Sequence, residues 1–264
     1  MTATSTPAVG IDLDRPTIPF SRIVGVELRK LADTRAGRWL LGAVGVISVV
    51  VMVIMLWVIV ANDVAVGFKD FLIAMSLPMG VLLPVLGVLS VTSEWSQRTA
   101  LVTFTLVPHR GRVLAAKVVV GLIVAALAVV VAALAAAIGM VLAGMAVDTA
   151  WNVNPLELLG FFALQALGLL MGITFGALLL SSPAAIVTYF AWAFVLPTIF
   201  GVATVFISWF GDLQPWIDFN TAQQPLFDGG WTGEKIGQLA TSGTIWLVVP
   251  FVFGAMRVMR SEVK

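Results

Sequence analysis

The chain has 264 residues, is 60% hydrophobic and only 11% charged, with a mean hydropathy of +1.05. Soluble domains carry about 25% charged residues, so the composition excludes an ordinary water-soluble enzyme and points to a polytopic membrane protein whose solvent is the bilayer. With no cysteine and one histidine, disulfides, thiolate metal sites, cysteine nucleophiles and any site needing two histidines are excluded, while the net charge of +1 says little until its distribution is read.

Residues 1–19 are polar, rich in Pro, Thr and Ser, and lack the apolar core of a signal peptide. They are expected to form a disordered cytoplasmic tail. Over residues 20–38, Phe20, Val24, Leu28 and Leu31 lie within about 80° of one another on a helix. Arg22, Arg29 and Asp33 fall on the other side. Such a helix is too polar to span and suits the membrane surface, either as a basic anchor or as an interface helix touching a cytoplasmic partner. Glu27 lies near its apolar edge, an odd place for an acid without a partner.

The first span is expected over 39–61, opened by Trp39 at the aromatic belt. The second, 71–92, holds Pro78 and Pro84 and should be kinked. A polar island, 93–117, follows. The third span lies within the Ala- and Val-rich run 118–147, long enough for one tilted helix and too short for two. The fourth, 158–180, carries Gly168, Gly172 and Gly176 on one face, a stripe that lets another helix approach closely. The fifth, 184–208, contains Thr188, Tyr189, Trp192 and Thr198. With Pro78 these are candidates for lining a pathway, although single hydroxyls in a span often bond their own backbone. Residues 209–238 interleave aromatics with acids and suggest a lid at the outer interface. The last span is expected over 239–258.

Under this parse thirteen of the fifteen Lys and Arg residues fall on one side: six in 1–38, four in the island and three at the C-terminus. The positive-inside bias places both termini and the island in the cytoplasm. Every acidic residue falls in a loop, which argues against an intramembrane ion relay. The chain contains no GxxxxGK[ST], HExxH or GxSxG motif, so no ATP-binding loop or enzyme active site is expected in it, and no metal site or cofactor.

The island reads as an acid, a basic residue, Thr, an apolar run, Pro, an Arg-rich turn and then Lys: Glu94, Arg98, Thr99, Pro108, Arg110, Arg112 and Lys117. This order resembles the loop between spans two and three of ABC-2 type transporter permeases, notably a group common in actinobacteria. Glu27, Lys30, Arg35, Arg38 and Trp39 resemble that family's amphipathic interface helix. The resemblance covers about residues 20–260. One position departs from it: Arg98 stands where Gly often precedes the Thr.

The resemblance implies an all-α fold, with six transmembrane helices, an N-terminal interface helix and a cytoplasmic coupling helix. The transmembrane domain would run over 20–264. It implies a permease in a bacterial cytoplasmic membrane, paired with a second permease chain, like or unlike, and with two separate ATPase subunits that hold ATP and Mg. Export of a hydrophobic or amphipathic compound is the expectation. Glu94, Trp95, Arg98, Thr99 and Phe104 are then expected to dock the ATPase, and Glu27, Lys30 and Arg35 to serve the interface helix. Arg110, Arg112 and Lys117 either anchor the loop to lipid headgroups or touch the partner. Glu94 and Arg98, at i, i+4, can form an exposed pair worth about 0.2–0.5 kcal/mol. No nucleic-acid partner is expected. A competing reading is a membrane scaffold or sensor that transports nothing and recruits a cytoplasmic protein through 93–117.

Overall fold

A computed structural model describes residues 18–97 and 99–261. The expected tail lies outside these residues except for Ile18 and Pro19, and so does Arg98. In chain order α1 spans Phe20–Asp33, α2 Arg35–Asn62, α3 Phe68–Ser96, α4 Ala100–Leu106, α5 Arg110–Ala143 and α6 Pro155–Leu179. Next come α7 (Ser182–Phe206), the short helices α8 (Phe210–Ile217), α9 (Phe219–Ala222) and α10 (Gln224–Asp228), and finally α11 (Gly233–Arg260). Two-residue strands β1 (Val66–Gly67) and β2 (Thr149–Ala150) pair in parallel.

Among the described residues, α2, α3, α5, α6, α7 and α11 are long and apolar enough to cross a membrane. By that measure the chain is an almost wholly helical, multi-pass membrane protein. The ends of these helices follow local chemistry. Thr34 accepts from the Gly37 N–H at 3.1 Å and caps α2. Asn154 caps α6 through the Leu156 N–H at 2.9 Å, with Pro155 in the first turn.

The third span departs from expectation. Its hydropathy begins at 118, but the helix begins at Arg110, just past Pro108, and runs 34 residues. That is about 51 Å of helix against a hydrocarbon core of about 30 Å. Arg110, Arg112 and Lys117 therefore sit on the first turns of a long rigid helix rather than in a loop.

Small residues set the helix packing. Gly172 lies so close to α3 that an added Cβ would come within 2.0 Å of the Pro84 carbonyl oxygen, and one on Gly87 within 2.3 Å of the Leu169 carbonyl oxygen. Gly176 rests on Val88 in the same groove. The glycine stripe thus seats α6 on α3, as the sequence suggested. On α5, Ala125, Ala132, Ala136 and Ala143 are fully buried, and Gly139 makes room for the Phe71 ring.

The prolines are accommodated locally. Pro84 has no N–H for the Gly80 carbonyl, and the Tyr189 hydroxyl donates to that oxygen at 3.0 Å. In α7 and α11 a π-helical turn, 191–195 and 244–248, ends two residues before Pro197 and Pro250. Such turns re-satisfy backbone groups that a proline leaves.

Candidate functional site

The two ends of the bundle differ in chemistry. At the end holding β1 and β2, α10 tucks onto α6 where Gly160 admits the Leu226 carbonyl, and Lys69 reaches Asp228 at 3.5 Å. The other end gathers α1, the C-terminal end of α3, α4, the start of α5 and the end of α11. Of the buried charged side chains among the described residues, Glu27, Glu94 and Lys117 lie at this basic end, and Asp218, between α8 and α9, is the exception.

Four side chains meet there. Lys117 Nζ donates to Glu27 Oε2 at 2.5 Å, to Glu94 Oε1 at 3.1 Å and to the Ser90 carbonyl oxygen at 2.7 Å. All three ammonium donors are used. Lys30 Nζ donates to Glu27 Oε1 at 2.7 Å, to Glu94 Oε1 at 2.9 Å and, at 3.5 Å, to Thr103 Oγ1. Glu27, Glu94 and Lys117 are buried, and the Lys30 side chain is 39% exposed. Two acids and two bases thus alternate in a closed, neutral quartet that ties α1, α3 and α5 together and reaches α4. Burial works most strongly against the Lys30 charge. The hydrogen bonds and attraction from Glu27 and Glu94 outweigh it and hold its pKa above the usual lysine value.

The quartet accounts for Glu27. Ile23 and Glu27 are buried, and with Leu31 they form one line on α1 at four-residue spacing. The acid therefore sits in the middle of the inward stripe, not at its edge.

Arginines close the helix ends around it. Arg110 donates from Nη1 to the carbonyl oxygens of Val258 (3.0 Å), Met259 (3.3 Å) and Ser261 (2.7 Å), capping α11. Its guanidinium also lies 4.7 Å from the centre of the Phe104 ring. Arg257 donates to the Leu178 carbonyl oxygen in the last turn of α6 at 2.7 Å. Positive charge at helix C-termini is favourable both as a hydrogen-bond donor and against the dipole.

Several expected sites are placed differently. Lys117 is buried and ion-paired, so it is not a lipid anchor. Arg110 is spent on the α11 carbonyls, and Arg112 donates to the Ile18 carbonyl oxygen at 2.7 Å. Glu94 faces inward to two lysines rather than outward in an exposed pair. Trp95 and Phe104 are half-buried, pack on each other with ring centroids 6.2 Å apart, and so join α4 to α3. Thr99 is exposed. The surface that α4 presents outward is instead Leu101, Val102, Thr105 and Leu106, all exposed. Sequence reasoning missed this face because the helix, ALVTFTL, has no polar side to mark it. Arg35 lies at the start of α2 and is exposed.

The candidate pathway residues divide between the interior and the surface. Pro78, Tyr189 and Trp192 are buried, while Thr188 and Thr198 are exposed. Thr198 bonds back to the Phe194 carbonyl oxygen at 2.7 Å. Tyr189 and Trp192 belong to an aromatic cluster with Phe175, Phe219 and Trp246. Its role is to pack α7 against α6 and α11.

No family model matches the chain, and a comparison with curated proteins finds no relative.

Proposed function

We propose that the chain is the membrane subunit of an ATP-driven exporter of the ABC-2 permease type. It would work as a dimer with a second permease chain and two separate ATPase subunits in a bacterial cytoplasmic membrane, its basic end in the cytoplasm. The cargo would be hydrophobic or amphipathic. In this reading α1 is the interface helix and α4 the coupling helix. ATP and Mg belong to the ATPase, and this chain carries no catalytic residue.

The observation that carries the reading is the way α4 is held. It is a seven-residue helix with an exposed apolar outer face. Its inner face is tied to two spans: Phe104 lies between Trp95 of α3 and Arg110 of α5, and Thr103 meets Lys30 of the quartet. A push on the outer face has a direct load path into the ends of α3 and α5. Bistable movement needs such discrete, packed contacts rather than a deformable loop. The charge asymmetry and the resemblance in the island point the same way.

The test is purification of the full-length chain from its native membrane in mild detergent. The expected result is a P-loop ATPase in one-to-one ratio with this chain. A complex with a cytoplasmic protein that has no nucleotide-binding fold would favour the scaffold reading instead.

A further inference from the structure

Beside the quartet lies a cavity of about 760 Å³, within the size range of small-molecule sites. Its walls come from α1, the first turn of α2, the C-terminal half of α3, α4, the start of α5 and Ser182 at the head of α7. From its rim at Ser96 to Leu86 it follows α3 for ten residues, a depth of about 15 Å. That is about half of a hydrocarbon core.

The lining changes character with depth. The deep walls are Leu86, Leu89 and Val120. Glu27, Glu94, Lys30 and Lys117 form one side, but their charges are committed to one another, so this side is neutral. Arg35 also faces the cavity and makes no ion pair among the described residues. The rim adds Ser93, Gln97 and Thr99, whose side chains make no hydrogen bond among the described residues. Among the described residues the cavity thus offers one uncompensated positive charge, Arg35, and unused polar groups at its mouth, over an apolar interior.

We propose that this cavity binds an anionic membrane lipid. The headgroup phosphate would sit on Arg35, with its ester and hydroxyl oxygens on Ser93, Gln97 and Thr99. One acyl chain would follow Leu86, Leu89 and Val120 inward. Charge complementarity selects the anion, as in other basic pockets between spans, and the apolar depth selects a lipid over a free anion. A water-soluble phosphate compound would leave the deep walls wet. Binding requires no ATPase, so the proposal stands or falls apart from the transport reading.

The test uses the full-length chain, delipidated in uncharged detergent, with native mass spectrometry of retained lipid. Phosphatidylglycerol and phosphatidylcholine of identical acyl chains are compared, with glycerol phosphate as competitor. Phosphatidylglycerol should be retained about fivefold more than phosphatidylcholine, the worth of one Arg charge at an anionic headgroup. Arg35→Glu should abolish that preference and Arg35→Lys should keep it. Leu89→Trp, which fills the interior, should reduce retention of both lipids. If Leu89→Trp does not fold, Arg35→Glu at its exposed position carries the test alone. Equal retention of the two lipids, unchanged preference in Arg35→Glu, or full displacement by glycerol phosphate would each overturn the proposal.

Discussion

Replacing Lys117 with Met tests the quartet most sharply. Methionine keeps much of the side-chain volume but removes three hydrogen bonds, to Glu27, Glu94 and the Ser90 carbonyl. Two buried carboxylates are then left to share Lys30, which is partly exposed. Removing one partner of a buried ion pair costs about 3–5 kcal/mol, whereas replacing the whole pair with apolar groups is often neutral. Lys117→Met should therefore lower the melting temperature by roughly 6–20 °C on the usual conversion for a chain of this size. Glu27→Met with Lys117→Met should recover a large part of that loss, giving a coupling energy of about 2 kcal/mol or more. The assay is thermal unfolding in detergent, followed by tryptophan fluorescence. The native absence of cysteine also allows clean spin-label pairs, for example at Ala32 and Leu101, to report whether α1 separates from α4. A Lys117→Met protein as stable as the parent, with an unchanged label distance, would mean that the ion pairs do not hold α1 in place.

Other outcomes follow from the packing and the backbone. Gly172→Ala should destabilise by about 2 kcal/mol or more, because its Cβ would meet the Pro84 carbonyl oxygen at 2.0 Å, whereas Gly168→Ala should be tolerated, its nearest neighbour being Pro84 Cγ at 3.5 Å. Melting curves of the two variants make the comparison, and equal effects would contradict the close approach of α6 to α3. Tyr189→Phe should cost about 1 kcal/mol by leaving the Gly80 carbonyl unpaired, but almost nothing when combined with Pro84→Ala, which supplies the missing N–H. Lys30 gives a pH prediction. Its folded pKa lies above the usual 10.5, so its stabilising contribution is complete below that value and is lost as pH rises through the folded one. A label on α1 should thus report no Lys30-dependent loosening from about pH 6 to about pH 9, and loosening only at higher pH. Release within the neutral range, absent in Lys30→Met, would contradict the ion pairing.

The membrane class was legible in the sequence because composition and run length bear directly on what a bilayer tolerates. Six apolar runs correspond to six long helices, and the glycine spacing of Gly168, Gly172 and Gly176 foretold close packing. The site was legible only in outline. Glu27 drew attention as an acid on an apolar face, but its partner Lys117 lies ninety residues away in sequence, and no local pattern links them. Charge counting could place Lys117 and Arg110 at the basic end, yet it cannot distinguish a lipid phosphate from a buried carboxylate or a helix-end carbonyl. Hydropathy put the start of the third span at 118. The helix starts at 110, because hydrogen bonding resumes after Pro108 whether or not the residues are apolar. The outward face of α4 was hidden for a related reason: in a helix of Ala, Leu, Val, Thr and Phe, only packing decides which side faces out.

In the proposed mechanism the outer face of α4 receives force from an ATPase and the quartet passes it on. The most direct measurement is ATP turnover and ATPase retention in the purified complex carrying Leu101→Asp and Leu106→Asp. These exposed positions should leave the melting temperature of the isolated chain unchanged. The ATPase should then no longer co-purify, and turnover dependent on the permease should fall to background. Full retention with undiminished coupled turnover would contradict that mechanism.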